Sequence, residues 1–164
     1  MTAGTLIHLY SAQLWLHAVS TQKRCSERVS GCGTMDTYVQ GEGIMIIATP
    51  ETVPGQRGNK SHGGMGDYFV RTLFEKVPDA LTFKYVRDLI LYPGSAIGLH
   101  PHTGDEELYF VISGNGIMVV DGEEQPVGPG SAVLTLSGSR HALRNTGKED
   151  LRIAVVCAGP NPKG

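Results

Sequence analysis

From residue 67 to residue 157 the chain is a succession of short apolar alternations interrupted by glycine, proline and asparagine, a spacing that leaves room for little except β-structure. The alternating runs cover 67–74, 81–92, 99–102, 107–113, 116–121, 124–127, 132–136, 141–145 and 151–157, with Asn115-Gly116 and Asp121-Gly122 as hairpin turn signals. No helical periodicity competes with them, and no segment repeats. The pattern therefore predicts one all-β barrel with its core over about 67–158, not a tandem of two. Twenty-two glycines and nine prolines in 164 residues suit many strands joined by tight turns.

Inside this region lie His100-Pro-His102, then Glu107, and later His141. In an extended strand alternate side chains share a face, so His100 and His102 project together with Cα atoms about 6–7 Å apart. Thr103-Gly104-Asp105 is turn-prone and can return Glu107 on a neighbouring strand. A second turn, Ser137-Gly138-Ser139, leads to His141 at the start of another alternation. Three imidazoles and one carboxylate suit a first-row divalent cation, and the lack of thiolate in the group argues against a structural zinc. Glu106 falls on the opposite strand face from Glu107, so Glu106 and Asp105 read as solvated groups or as supports behind the ligands.

The spacing of these residues is itself a signature. Gly94, His100, His102, Glu107 and Gly114 are separated by five, one, four and six residues; Gly130, Leu136, Gly138, His141 and Asn145 by five, one, two and three. These runs resemble the two motifs of the cupin superfamily at every fixed position but one, Leu136, where cupins usually carry proline. The resemblance implies a single cupin double-stranded β-helix (jelly-roll) barrel holding one divalent transition metal, Mn, Fe, Ni or Zn, on His100, His102, Glu107 and His141. It also implies a homodimer, paired through an N-terminal arm. Cupins with this ligand set include Mn-dependent oxalate decarboxylases and oxidases, Fe-dependent dioxygenases, sugar isomerases and lyases.

Residues 1–44 differ in character from the rest of the chain. Residues 6–19 are apolar but include His8 and His17, no Lys or Arg precedes Leu6, and Lys23, Arg24, Glu27 and Arg28 come after them. The segment reads as a loosely ordered extension or a short helix in preference to a secretory signal, leaving 45–164 as the barrel with its arm. Residues 49–66, rich in glycine and proline, should form that arm or loop, with His62 a solvated polar residue within it in preference to a lid over the pocket. Lys and Arg are scattered, net charge is −2, and no basic stripe predicts nucleic-acid binding. No stretch approaches the roughly 20 apolar residues needed to span a bilayer. Cys25, Cys32 and Cys157 show no CxxC spacing, which favours a reduced, cytoplasmic setting.

Around the cluster, strand parity from Glu107 points Tyr109 and Val111 inward, and parity from His141 does the same for Leu143. Tyr109 is the candidate proton donor, ahead of Tyr68 and Tyr85, because its parity is tied to Glu107. Arg71, Lys84, Arg87 and Arg152 are cations within strand runs, and each is expected on an outward, solvated face. The favoured reading is a metal-dependent enzyme acting on a small oxygen-rich molecule. The alternative is a non-catalytic cupin that binds or senses a small molecule.

Overall fold

A computed structural model describes residues 36–40, 43–75 and 82–160. The chain divides into two compact units, Met1–Ile47 and Ala48–Gly164. In the first, strands β1 (Asp36–Gln40) and β2 (Gly43–Ile47) pair antiparallel. Most of the segment expected as a loose extension or short helix lies outside the described residues; the part that is described, from Asp36, is a hairpin.

Among the described residues of the second unit, strands account for nearly all of the regular secondary structure. It contains β3 (Gln56–Asn59), a single 3-10 turn at Ser61–Gly63, β4 (Asp67–Glu75), β5 (Phe83–Leu91), β6 (Ala96–Pro101) and β7 (Glu106–Ser113). Beyond these come β8 (Gly116–Val120), β9 (Glu123–Val127), β10 (Ala132–Thr135), β11 (Arg140–Asn145) and β12 (Leu151–Ala158). They form two antiparallel sheets, ordered β10-β7-β12-β5-β4-β3 and β6-β11-β8-β9, as an all-β barrel requires. The expected runs lie close to these strands. Strand β3 was not expected: Gln56–Asn59 shows no apolar alternation, and its extended backbone comes from pairing with β4.

Alternation decides what is buried. In β12, Leu151, Ile153, Val155 and Cys157 are buried, while Arg152, Ala154 and Val156 take the other face. These residues join Leu89, Leu91, Ile97, Val111, Met118 and Leu143 in the core between the sheets. At the β8–β9 hairpin Asp121 and Gly122 both have positive φ, 49° and 89°, the geometry for which the Asp-Gly pair is selected. Asn145 closes the β11–β12 connection: its amide donates to the carbonyls of Leu91 and Glu149 and its Oδ1 accepts from the Gly147 amide. That network gives the fixed asparagine of the second motif a structural reason.

Candidate metal centre

Strands β6, β7 and β11 each carry part of the cluster. His141 on β11 lies directly opposite His100 on β6, and a register shift follows before Leu143 pairs with Ile97. Such an irregularity re-aims side chains locally, and it falls where the imidazoles meet. The turn between β10 and β11 is tied to the site through the His102 amide donating to the Ser139 carbonyl and the Gly138 amide donating to the His102 carbonyl. Leu136, the one departure from the motif, is exposed in that turn, so the ligands do not depend on it.

The cluster is shielded from water. Side-chain exposure is 12% for His100, 6% for His102, 2% for Glu107 and 0% for His141. Their donor atoms all lie within 4.8 Å of one another. His141 Nε2 is 3.0 Å from His100 Nε2, 3.2 Å from His102 Nε2 and 3.0 Å from Glu107 Oε2; His102 Nε2 is 3.4 Å and His100 Nε2 3.9 Å from the same oxygen. Two donors at right angles and about 2.1 Å from a common ion stand about 3.0 Å apart, so the separations of 3.0–3.2 Å match cis positions around one cation, and those of 3.4 and 3.9 Å correspond to wider angles.

The outward nitrogens explain why the inward ones are free to bind. Nδ1 of His100 faces the Gly98 carbonyl at 2.8 Å, Nδ1 of His102 faces Asp105 Oδ1 at 3.0 Å, and Nδ1 of His141 faces Thr135 Oγ1 at 2.6 Å. A carbonyl and a carboxylate only accept, so His100 and His102 carry their protons on Nδ1; the Thr135 hydroxyl can accept in the same way. With Thr135 accepting from His141, three Nε2 lone pairs converge on Glu107 Oε2, itself buried without a hydrogen-bond partner. Contacts of 3.0–3.4 Å among lone-pair atoms are repulsive unless something positive sits between them. The donor set thus fits a metal ion, which these residues could hold.

Burial pushes the His100 pKa down to about 4, helped by the neighbouring His62 and His141 and opposed by the Gly98 carbonyl. Burial also opposes ionisation of Glu107, but the adjoining imidazoles and the Tyr85 hydroxyl outweigh it and hold its pKa below the usual value. Asp105 is lowered as well, since Lys84 and His102 together overcome its desolvation. A neutral imidazole beside an ionised carboxylate is the protonation pattern a cation needs.

Sequence parity placed Tyr109 inward, and it is buried with its ring 4.8 Å from that of His141. Glu106 is exposed where Glu107 is buried, as strand alternation required. Several neighbours take the less favoured of their expected places. The Tyr85 hydroxyl donates to Glu107 Oε1 at 2.5 Å, a short, charge-assisted bond. His62, read as a solvated loop residue, stacks on His100 with centroids 3.8 Å apart and rings 10° from parallel. Its backbone is left-handed, φ 49°. The loop fits because Gly98 faces it: a Cβ there would lie 2.1 Å from the His62 carbonyl oxygen. Arg87 was expected outward, but it shares a strand face with Tyr85 and Leu89, and its guanidinium carbon lies 3.7 Å from the Tyr85 ring centroid. The other three cations do face outward or form ion pairs: Arg71 and Arg152 clamp Asp88, and Lys84 binds Asp105.

The cupin-domain family model matches residues 88–157, the stretch carrying all four of these donors. A curated relative, the oxalate-binding protein of Thermotoga maritima, is 32% identical over 112 residues, spanning 68% of this chain and 92% of that one. The chain belongs to the cupin superfamily. Among solved structures, this cupin is similar to a Thermotoga maritima protein described as a predicted oxalate decarboxylase, with TM-score 0.66 and 28% identity over 69% of this chain and 98% of that one. It is also similar to the cupin domain of an XRE-family transcriptional regulator from Enterobacter cloacae, with TM-score 0.51 and 27% identity over 57% of this chain and 98% of that one.

Proposed function

We propose that this cupin is a metal-dependent enzyme that acts on a small oxygen-rich molecule at a centre formed by His100, His102, Glu107 and His141. The observation that carries the reading is the convergence of three Nε2 atoms on an orphaned, buried Glu107 oxygen, each imidazole backed by its own partner. A bound divalent ion would supply a concentrated positive charge that polarises an oxygen ligand. The chain supplies the rest. Gly98 and Asp105 fix the tautomers of His100 and His102, Thr135 meets Nδ1 of His141, Tyr85 orients Glu107, and the apolar wall of Val111 and Leu143 excludes water. Burial raises the pKa of both Tyr85 and Tyr109, so both phenols stay protonated. Tyr109 is the proposed proton donor.

A second reading, a metal-holding barrel that binds without turnover, is favoured by the names of two relatives, one an oxalate-binding protein and the other part of a transcriptional regulator. Elemental analysis of protein purified without added metal or chelator tests the centre. About one ion per chain is expected, with His100→Ala and His141→Ala folded but depleted. Full occupancy in both variants would falsify the ligand assignment. Product analysis with oxalate then separates the readings, since turnover supports the enzyme and saturable binding without products supports the binder.

A homodimer is also proposed. Phe110, Ile112, Leu134 and Leu136 are 43–54% exposed, and Leu134 and Phe110 sit on adjacent strands of the six-stranded sheet, on the face away from the core. Apolar groups clustered in this way mark an association surface.

A further inference from the structure

Arg87 is an inward-facing cation that the metal reading leaves without a task. On β5 the side chains of Tyr85, Leu89 and Leu91 turn toward the core, and Arg87 has the same parity. Its register partners are Val155 on β12, itself buried, and Thr72 on β4. The side chain is therefore on the inward face of the sheet and half-buried, its guanidinium over the Tyr85 ring whose hydroxyl is bonded to Glu107. Its Nε is buried and has no hydrogen-bond partner among the described residues.

That situation is costly. A guanidinium carries five donors in a fixed fork, and an unpaired buried donor forfeits its hydration without return. Stacking on Tyr85 recovers some of the loss but leaves the in-plane Nε–H unused. The neighbouring cations are already matched: Arg71 and Arg152 with Asp88, Lys84 with Asp105, Arg144 with Glu124. With a divalent ion on the three imidazoles and Glu107, and with Asp105 paired to Lys84, the ion and Arg87 leave the pocket with two positive charges. Two cationic points linked through the Tyr85 phenol suit a small molecule with an anionic group at each end.

We propose that Arg87 forms an anion subsite within the metal pocket and that the ligand of this cupin is a short dicarboxylate, one end at the metal centre and the other in the Arg87 fork. Planar carboxylate and planar guanidinium pair bidentately, which fixes orientation as well as affinity. Tyr85, between the two, keeps Glu107 turned toward the ion and holds the guanidinium over its own ring. This subsite rests on the reading of the centre as a metal site, and the measurements below separate the two.

The test is calorimetric titration of metal-loaded protein with oxalate and malonate, and with oxamide as an uncharged analogue, in the wild type, Arg87→Gln and Arg87→Lys. Metal content and thermal midpoint are measured on each sample. Binding of at least one dicarboxylate to the wild type is expected, weakened about ten- to a hundredfold in Arg87→Gln, the scale of one charge-assisted hydrogen-bonded pair. Metal content should stay unchanged, oxamide binding should be unaffected, and Arg87→Lys should recover part of the loss. Equal dicarboxylate affinity in Arg87→Gln would overturn the subsite. So would parallel losses for oxamide and the dicarboxylates, which would mark Arg87 as a support for Tyr85, or a wild type that binds neither dianion. Arg87-dependent binding in a wild type that takes up no metal would leave the subsite standing and sink the metal centre instead.

Discussion

Thr135→Val tests the claim that the imidazoles are set from behind. Thr135 and His141 are both fully buried, and their Oγ1 and Nδ1 atoms stand 2.6 Å apart. Valine keeps the shape and removes the acceptor. In the metal-free protein the proton on Nδ1 is then left without a partner in a place water does not reach, at a cost of about 1–3 kcal/mol. The imidazole can escape by moving that proton to Nε2, but this consumes the lone pair that faces the centre. Metal affinity should therefore fall about 10- to 100-fold, the usual effect of losing a ligand's outer partner, and the full burial of both residues argues for the upper half of that range. Competition against a chromophoric chelator reads the affinity, and urea unfolding of the metal-free form reads the stability. Thr135→Ser, which keeps the hydroxyl, is the control and should retain most of the affinity. Unchanged affinity in Thr135→Val, or an equal loss in Thr135→Ser, would refute the reasoning.

Other outcomes rest on the same geometry. Glu107→Gln should lower metal affinity by at least an order of magnitude while Glu106→Gln leaves it unaltered, because only Glu107 is buried among the imidazoles; equal effects by chelator competition would mean the parity is wrong. The metal-free protein should lose stability on acidification: His100 has its folded pKa lowered to about 4 from 6.5, so its contribution is complete above pH 6.5 and disappears as pH falls toward 4, by about 3 kcal/mol at most. Urea midpoints that rise across that interval as the pH is lowered would contradict this. A chain beginning at Ala48, the start of the second compact unit, should fold and bind metal with unchanged stoichiometry, read by circular dichroism and elemental analysis; an unfolded product would show that the first unit is needed. Leu134→Glu should shift the mass measured by light scattering from dimer to monomer, and a variant as dimeric as the wild type would place the interface elsewhere.

The strands were legible because most of them bury one face and expose the other. β12 writes this directly, with Leu151, Ile153, Val155 and Cys157 alternating against Arg152, Ala154 and Val156. Where that condition fails the sequence is silent. Gln56–Asn59 has no apolar face to declare, and its strand is imposed by the neighbour it pairs with. In β5 the run Phe-Lys-Tyr-Val-Arg-Asp-Leu-Ile-Leu has polar groups on both parities, so outward solvation was the natural expectation for Arg87. Its true side is decided by Tyr85, whose hydroxyl reaches Glu107 across the barrel, a contact 22 residues apart in sequence.

The same division runs through the site. His100, His102 and Glu107 were readable because a strand, a turn and the next strand place them within a few residues of one another, so local periodicity is enough. The groups that make them competent are distant in sequence: Thr135 reaches His141 because β10 lies beside β7 and turns back into β11, and His62 covers His100 because Gly98 lets a left-handed loop approach. A threonine or a loop histidine is as common on a solvated surface as behind a metal ligand, so neither residue type announces its role. What a chemist reads first from such a chain is the set of donor atoms; which nitrogen of each imidazole is free to bind is settled only by strand pairing.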